Sequence, residues 1–244
     1  MSRPFKFKHF TIQQELNAQK VGSDSMLLGA SIEGEFKRIL DIGTGTGILA
    51  LMLAQKNVES MITAIESDLT SLNEALINFN SSKFSHQFLA VHARLQEFGA
   101  MEKFDLIVCN PPYFENAFLS SNEDRNRARH NNDLPVHELY EYAAELLNEQ
   151  GEMAIVIPTD EEYNHLKRAA HEGLFPYKIL RTVKEAGGFK RSLITYSFND
   201  DIEPTLSQLL VKSTQNEYSD AYIELTKDFY FKDLKKIQSE VKDD

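Results

Sequence analysis

Short continuous apolar runs alternate along the chain with stretches of helix-forming residues, and polar turns separate them. Arg38-Ile39-Leu40-Asp41-Ile42 predicts a buried strand that ends in glycines, and Ile48 to Gln55, rich in Leu and Ala, predicts a helix packed on a sheet. The alternation continues with a strand over Met61 to Glu66, a helix over Leu69 to Asn80, and strands over Gln87 to His92 and Phe104 to Cys109. Val136 to Asn148 predicts a helix stopped by Gly151, with a buried strand over Met153 to Ile157 and a helix over Asp160 to His171 beyond it. Two β-rich runs, Tyr177 to Val183 and Ser192 to Phe198, flank Glu185-Ala186-Gly187-Gly188-Phe189 and predict an antiparallel strand pair at the C-terminal edge of the sheet. Such alternation predicts an α/β fold with a doubly wound, mostly parallel sheet. Residues 1–30 read as an N-terminal lead-in and residues 31–244 as the α/β unit, in one domain without internal repeats. Residues 114–134 are polar and aperiodic and predict a surface loop, which at that length beside a site is more often functional than not.

Composition is that of an ordinary globular protein, with 42% hydrophobic and 26% charged residues and no low-complexity tract. The first ten residues hold no apolar signal core, and no run approaches the ~20 apolar residues that span a bilayer, so the expectation is a cytoplasmic protein with no membrane contact. Cys109 is the single cysteine, which excludes an intramolecular disulfide and a cysteine-rich zinc cluster; it reads as a small buried hydrophobe at a strand end. The seven histidines show no metal-ligand spacing, so metal-free chemistry is expected. A net charge of −11 argues against nonspecific coating of nucleic acid, which depends on Lys and Arg neutralising phosphates. Any nucleic-acid contact must be local, and no obligate protein partner is expected.

Two turns carry the candidate chemistry. Ligands in open α/β sheets bind outside the carboxyl ends of the strands, so turns that follow two predicted strands should share one crevice. In the first, Asp41-Ile42-Gly43-Thr44-Gly45-Thr46-Gly47, glycines at alternate positions allow a sharp bend and close approach to a ligand. Glu66 ends the following strand, where its carboxylate can accept bonds from both hydroxyls of a ribose. A dinucleotide site prefers G-x-G-x-x-G, but here Ile48 occupies the place of the third glycine, and Asp41 would repel a pyrophosphate while attracting an ammonium. S-adenosylmethionine fits better than a nicotinamide dinucleotide. Asp68 reads more simply as a helix N-cap than as part of the site.

The second turn is Asn110-Pro111-Pro112-Tyr113. The Asn side-chain oxygen and the Pro111 carbonyl can accept bonds from one planar amine, because the prolines stiffen the turn and donate no competing N–H. Tyr113 offers a face on which a flat acceptor stacks, worth about 1–3 kcal/mol per base. By itself this turn leaves adenine, guanine and glutamine acceptors open. Basic residues cluster where an RNA could use them: Arg3, Lys6, Lys8 and His9 alternate with Phe5, Phe7 and Phe10, and Arg125, Arg127 and Arg129 follow the second turn. Lys227, Lys232, Lys235 and Lys236 are offset by nearby acids and read as a solvated face.

Phe5 to Phe10, Lys20 to Ala30, Asp41 to Gly47, Asn110 to Tyr113, Arg125 to His130, Tyr218 to Tyr222 and Asp228 to Tyr230 together resemble the bacterial tRNA1(Val) adenine-37 N6-methyltransferase family, over nearly the whole chain. The resemblance implies a Rossmann-like class I methyltransferase that uses S-adenosylmethionine to methylate the exocyclic amine of the adenine 3′ of the anticodon in a valine tRNA. It implies that Asn110, Pro111, Pro112 and Tyr113 hold the base and that Asp41, Gly43, Gly45, Gly47 and Glu66 hold the donor. Lys20 and Asp24 would be walls near the donor's methionine end. Where this class often carries an acid after the third strand, the chain has Arg94. The alternatives are methylation of a glutamine side chain of a translation protein, guanine-N2 methylation, an RNA- or donor-binding module without turnover, and a nicotinamide dehydrogenase.

Overall fold

A computed structural model describes residues 3–15, 21–111, 134–183, 187–212, 217–232 and 234. Ten strands are seen among them: β1 (Phe5–Lys6), β2 (Thr11–Ile12), β3 (Arg38–Ile42), β4 (Met61–Glu66), β5 (Phe88–His92), β6 (Phe104–Cys109), β7 (Leu147–Pro158), β8 (Phe175–Val183), β9 (Phe189–Ser197) and β10 (Thr205–Leu210). The helices are α1 (Ser23–Ser31), α2 (Ile48–Lys56), α3 (Leu69–Ser81), α4 (Val136–Leu146), α5 (Glu162–His171) and α6 (Asp220–Thr226). β1 and β2 form a separate antiparallel pair. The other eight strands make one sheet in the order β10-β8-β9-β7-β6-β3-β4-β5, in which β9 alone runs against its neighbours.

Strand residues alternate between two faces, and each face meets its own helices. Ile39, Leu106, Val108, Ala154 and Val156 join a core with residues of α1, α2, α3 and α6. Leu40, Ile107, Cys109, Met153 and Ile155 join another with Leu139 and Tyr140 of α4 and Ala169 of α5. Helices on both faces explain why the central strands read as unbroken apolar runs rather than alternating ones. The doubly wound sheet expected from the pattern is therefore present.

The antiparallel hairpin is present, yet β8 is not the sheet's edge. β9 inserts between β7 and β8, and β10 pairs parallel to the outer side of β8 from Thr205↔Lys178 to Leu210↔Val183. β10 exposes its first four residues, so no buried face marks it in the sequence. The expected helix over Val136 to Asn148 ends at Leu146, because Leu147 already pairs with Phe104 and opens the long strand β7.

The lead-in shares the core of the rest. Phe7 bridges to Tyr230, the Lys8 N–H donates to the Phe229 carbonyl at 2.9 Å, and Phe7, Phe10 and Ile12 are buried in the α1–α2 core. At the far end of α2 the Lys56 ammonium donates to the carbonyls of Ala30 at 3.1 Å and of Ile32, closing the end of α1; burial lowers its pKa. No helix among the described residues is long and apolar enough to cross a membrane.

Candidate active site

The chain leaves β3 toward β4 and β5 on one side and returns to β6 on the other. This reversal opens a crevice at the carboxyl ends of β3 and β6, where ligands bind in doubly wound sheets. The glycine turn follows β3, and Asn110 follows β6. A cleft of about 220 Å³ between them is lined by Asp24, Ser25, Asp41, Gly43, Thr44, Gly45 and Asn110, among others.

Each glycine of the turn adopts the left-handed conformation, with φ of +68° at Gly43, +56° at Gly45 and +79° at Gly47. Their needs differ. A Cβ at Gly47 would lie 2.4 Å from the Phe79 ring, so this glycine lets α2 pack against α3; a Cβ at Gly43 would meet no protein atom within 4 Å. The Gly43 and Thr44 N–H groups both donate to the Ile65 carbonyl, at 3.0 and 3.1 Å. Asn78, wholly buried on α3, donates to the carbonyls of Thr46 at 2.8 Å and Gln13 at 3.0 Å and accepts from the Gln13 N–H at 2.7 Å. One side chain thus ties the lead-in to the turn.

Glu66 receives the Gly45 N–H at 2.9 Å on one carboxylate oxygen and the Asp68 N–H at 3.0 Å on the other. A carboxylate offers about four acceptor positions, so lone pairs remain for two hydroxyls. Asp68 is the N-cap of α3, accepting from the Ser71 N–H at 2.8 Å. Asp41 is buried and accepts from the Thr44 hydroxyl at 2.7 Å. Burial raises its pKa to about 7, against the lowering effect of Thr44 and of the Ala50 N–H in the first turn of α2. A cation in the cleft would restore the carboxylate. Cys109, buried beside Asp41 and Glu66, has its thiol pushed well up by burial and by both carboxyls, so it stays protonated and inert.

Across the cleft the Asn110 amide donates to the Ser25 hydroxyl of α1 at 2.8 Å. With the nitrogen turned to Ser25, the amide oxygen Oδ1 is the atom left to accept. Asp24, the preceding residue of α1, accepts from Arg191 of β9 at 2.7 Å as an ion pair about four-fifths removed from solvent.

Of the residues singled out from sequence, Asp24, Asp41, Gly43, Gly45 and Asn110 line one cleft, while Gly47 and Glu66 support its floor. Pro111 is the last described residue of its turn; Lys20, Pro112, Tyr113, Arg125, Arg127 and Arg129 lie outside the described residues. Lys6 stands on β1. Lys8 lines a different cavity with Lys56 and Lys83, at the end of α2 away from the glycine turn, about 13 Å along that helix. Ser25, Thr44, Asn78 and Arg191 were not found from sequence. Ser25 meets Asn110 across 85 positions and Arg191 meets Asp24 across 167, pairings that no local spacing shows. Among the described residues no group of three or more His, Cys, Asp or Glu could hold a metal ion.

The methyltransferase small domain family matches residues 16–190. A tRNA1(Val) (adenine(37)-N6)-methyltransferase of Christiangramia forsetii is 38% identical over 238 residues, 95% of this chain and 99% of that protein. A protein of the same name from Bacteroides thetaiotaomicron is 39% identical over 236 residues, 94% of this chain and 98% of that one. The chain belongs to the tRNA1(Val) (adenine(37)-N6)-methyltransferase family. Among solved structures, a predicted O-methyltransferase of Agrobacterium tumefaciens superposes with a TM-score of 0.67 at 16% identity, over 84% of this chain and 96% of that one. A ribosomal protein L11 methylase of Lactobacillus delbrueckii superposes at 0.52 with 18% identity, over 71% and 76%. These two likenesses show the Rossmann-like methyltransferase fold.

The methyl donor of the family is S-adenosylmethionine, and the cleft of this member fits it. Gly43 leaves room for a ligand where any other residue would put a side chain, Asp41 lines the cleft as a buried carboxyl, and the Glu66 carboxylate is already oriented by two backbone N–H groups.

Proposed function

We propose that this protein transfers the methyl group of S-adenosylmethionine to the exocyclic N6 amine of adenine 37, next to the anticodon, in a valine tRNA. The observation that carries the proposal is the Asn110 amide, bonded to Ser25 and lining the cleft that the glycine turn builds. Family membership supplies the substrate, since the closely similar relatives bear that name over almost their whole length.

When bound, S-adenosylmethionine supplies a methyl group made electrophilic by its sulfonium. Asp41 attracts the donor's ammonium, Gly43, Gly45 and Gly47 let the backbone approach it, and Glu66 accepts from the ribose hydroxyls. Lys20 and Asp24 wall the methionine end. Asn110 Oδ1 and the Pro111 carbonyl accept the two N–H bonds of the target amine, which draws its lone pair out of conjugation and aims it along the transfer line. Pro112 stiffens the turn and Tyr113 stacks the extruded base. Transfer would be an in-line displacement, the N–C bond forming as the S–C bond breaks and the amine proton leaving to water, in which these residues contribute by positioning and no strong base is needed. Lys6, on the hairpin that also carries Phe5, and Arg125, Arg127 and Arg129 supply cations to the RNA backbone. The reaction takes place in the cytoplasm, where its tRNA is.

The test is incubation of the purified protein with labelled S-adenosylmethionine and tRNA from cells lacking the modification, followed by digestion to nucleosides, with Asn110→Ala alongside. Labelled N6-methyladenosine that disappears in the variant is expected. Labelled guanosine would move the acceptor, and an unlabelled RNA pool with a labelled translation protein would replace the reading by glutamine methylation.

A further inference from the structure

The strand order separates what lies on either side of Asn110. The glycine turn and Glu66, on β3 and β4, stand on one side of β6; the ends of β9, β8 and β10 stand on the other, at the same pole of the sheet. There a second and larger cavity, of about 750 Å³, adjoins the donor cleft and shares Gly22 and Asp24 with it.

The walls have a distinctive chemistry. Phe5, Tyr218 and Tyr230 line the cavity and keep part of their surface in solvent. Buried Tyr222 braces them: its ring stacks on Tyr218 with centroids 4.8 Å apart and planes 13° apart, and its hydroxyl bonds that of Tyr230 at 2.7 Å. Around these rings stand Lys190, Arg191 and Lys212. Arg191 is held by Asp24, and the Lys212 ammonium sits 5.0 Å from the centre of the Tyr218 ring. In a chain of net charge −11, the described residues lining this cavity include three cations and one carboxylate, a lining of the opposite sign. Aromatic faces combined with cations are how single-stranded nucleic acid is held.

We propose that this cavity receives the single-stranded nucleotides flanking the methylated adenosine, with bases against the Phe5 and Tyr230 rings and phosphates at Lys190 and Lys212. The proposal rests on the RNA reading above and adds where the strand goes: donor on the β4 side of Asn110, flanking RNA on the β9 side. Asp24 and Arg191 form the partition between the two, holding the cation toward the RNA and the carboxylate toward the donor.

The experiment measures binding of an unmodified valine-tRNA anticodon stem-loop to the full chain saturated with S-adenosylhomocysteine, over a series of salt concentrations. Lys190→Ala combined with Lys212→Ala should weaken RNA binding about tenfold or more at moderate salt. It should also make the slope of log K against log salt shallower by about 1.4, two single-strand contacts at roughly 0.7 each. Melting temperature and S-adenosylhomocysteine affinity should stay as in the wild type, and Lys190→Arg with Lys212→Arg should restore RNA binding, which a merely structural role would not require. Phe5→Leu should weaken RNA binding without changing the salt slope. If the wild type methylates the stem-loop while the lysine variants keep its affinity and slope, the cavity does not hold RNA and the function stands alone. If the wild type neither binds nor methylates it, both readings fall.

Discussion

Two buried ionisable groups, Asp41 on β3 and His165 on α5, feel the same physics and end in different roles. Burial pushes each toward its neutral form, Asp41 up to about 7 and His165 down to about 4. His165 is closed in: its ring shares a hydrogen bond of 3.0 Å with the Tyr140 hydroxyl, which reaches Tyr196 at 3.2 Å, and all three are buried between helices and β9. Asp41 borders an open cleft. A desolvated group with all its partners in the core is a structural element, whereas one that lines a cleft can change charge when a ligand binds. The shift alone does not separate the two cases; the geometry around the group does.

The comparison is broken most severely at the open site. Asn110→Ala should lower kcat by two to three orders of magnitude, on the scale seen when one oriented hydrogen-bonding group is removed from a reacting centre. Its melting temperature and donor affinity should match the wild type. Ser25→Ala, which removes the hydroxyl bonded to the amide, should lower kcat about tenfold with the same two controls. Equal losses in donor affinity would show instead that the pair shapes the cleft rather than the acceptor.

The glycines sharpen the comparison next. Gly47→Ala should destabilise the fold by about 2–4 kcal/mol in chemical unfolding, since it adds a clash with Phe79 to a left-handed backbone. Gly43→Ala should cost only about 1–2 kcal/mol, the backbone penalty by itself, and should weaken S-adenosylhomocysteine in calorimetric titration. A mild Gly47→Ala would mean that Phe79 has room to move.

Stability against pH separates Asp41 from His165. An acid whose folded pKa is raised holds its proton more tightly when folded, so its contribution is full below 3.8 and is lost as pH rises toward 7. A base whose folded pKa is depressed contributes fully above 6.5 and loses that contribution as pH falls toward 4. Relative to wild type, Asp41→Asn should therefore gain stability as pH rises from 4 to 7, and His165→Gln should gain as pH falls from 6.5 to 4, both read from urea midpoints across the window. S-adenosylhomocysteine should bind wild type more tightly as pH rises through 7, because its ammonium meets the carboxylate, and Asp41→Asn should flatten that dependence. The smallest effect is Tyr140→Phe, which breaks the closed network for about 1–2 kcal/mol of stability and leaves methyl transfer unchanged.

What could be read from the sequence follows the same division between local and distant causes. β3, β4, β6 and the core of β7 announce themselves as apolar runs because helices cover both their faces, and the glycine turn and Asn110 follow strands directly. α1 has no amphipathic signature, since Ser25 through Ala30 are all buried, so it is hidden inside the lead-in. β10 is held by backbone pairing to β8 while most of its side chains face solvent, which leaves its hydrophobic pattern blank and the hairpin mistaken for the edge. The partners that orient the site, Ser25 for Asn110, Asn78 for the turn and Arg191 for Asp24, come from distant segments and depend on the folded sheet.

The most direct test of the central claim uses two transcripts of the valine tRNA, one natural and one with guanine in place of adenine 37, incubated with wild-type protein and labelled S-adenosylmethionine. The account predicts one methyl group per natural transcript, recovered as N6-methyladenosine, and none on the other. Equal labelling of the two transcripts, or label recovered in any other nucleoside, would contradict it.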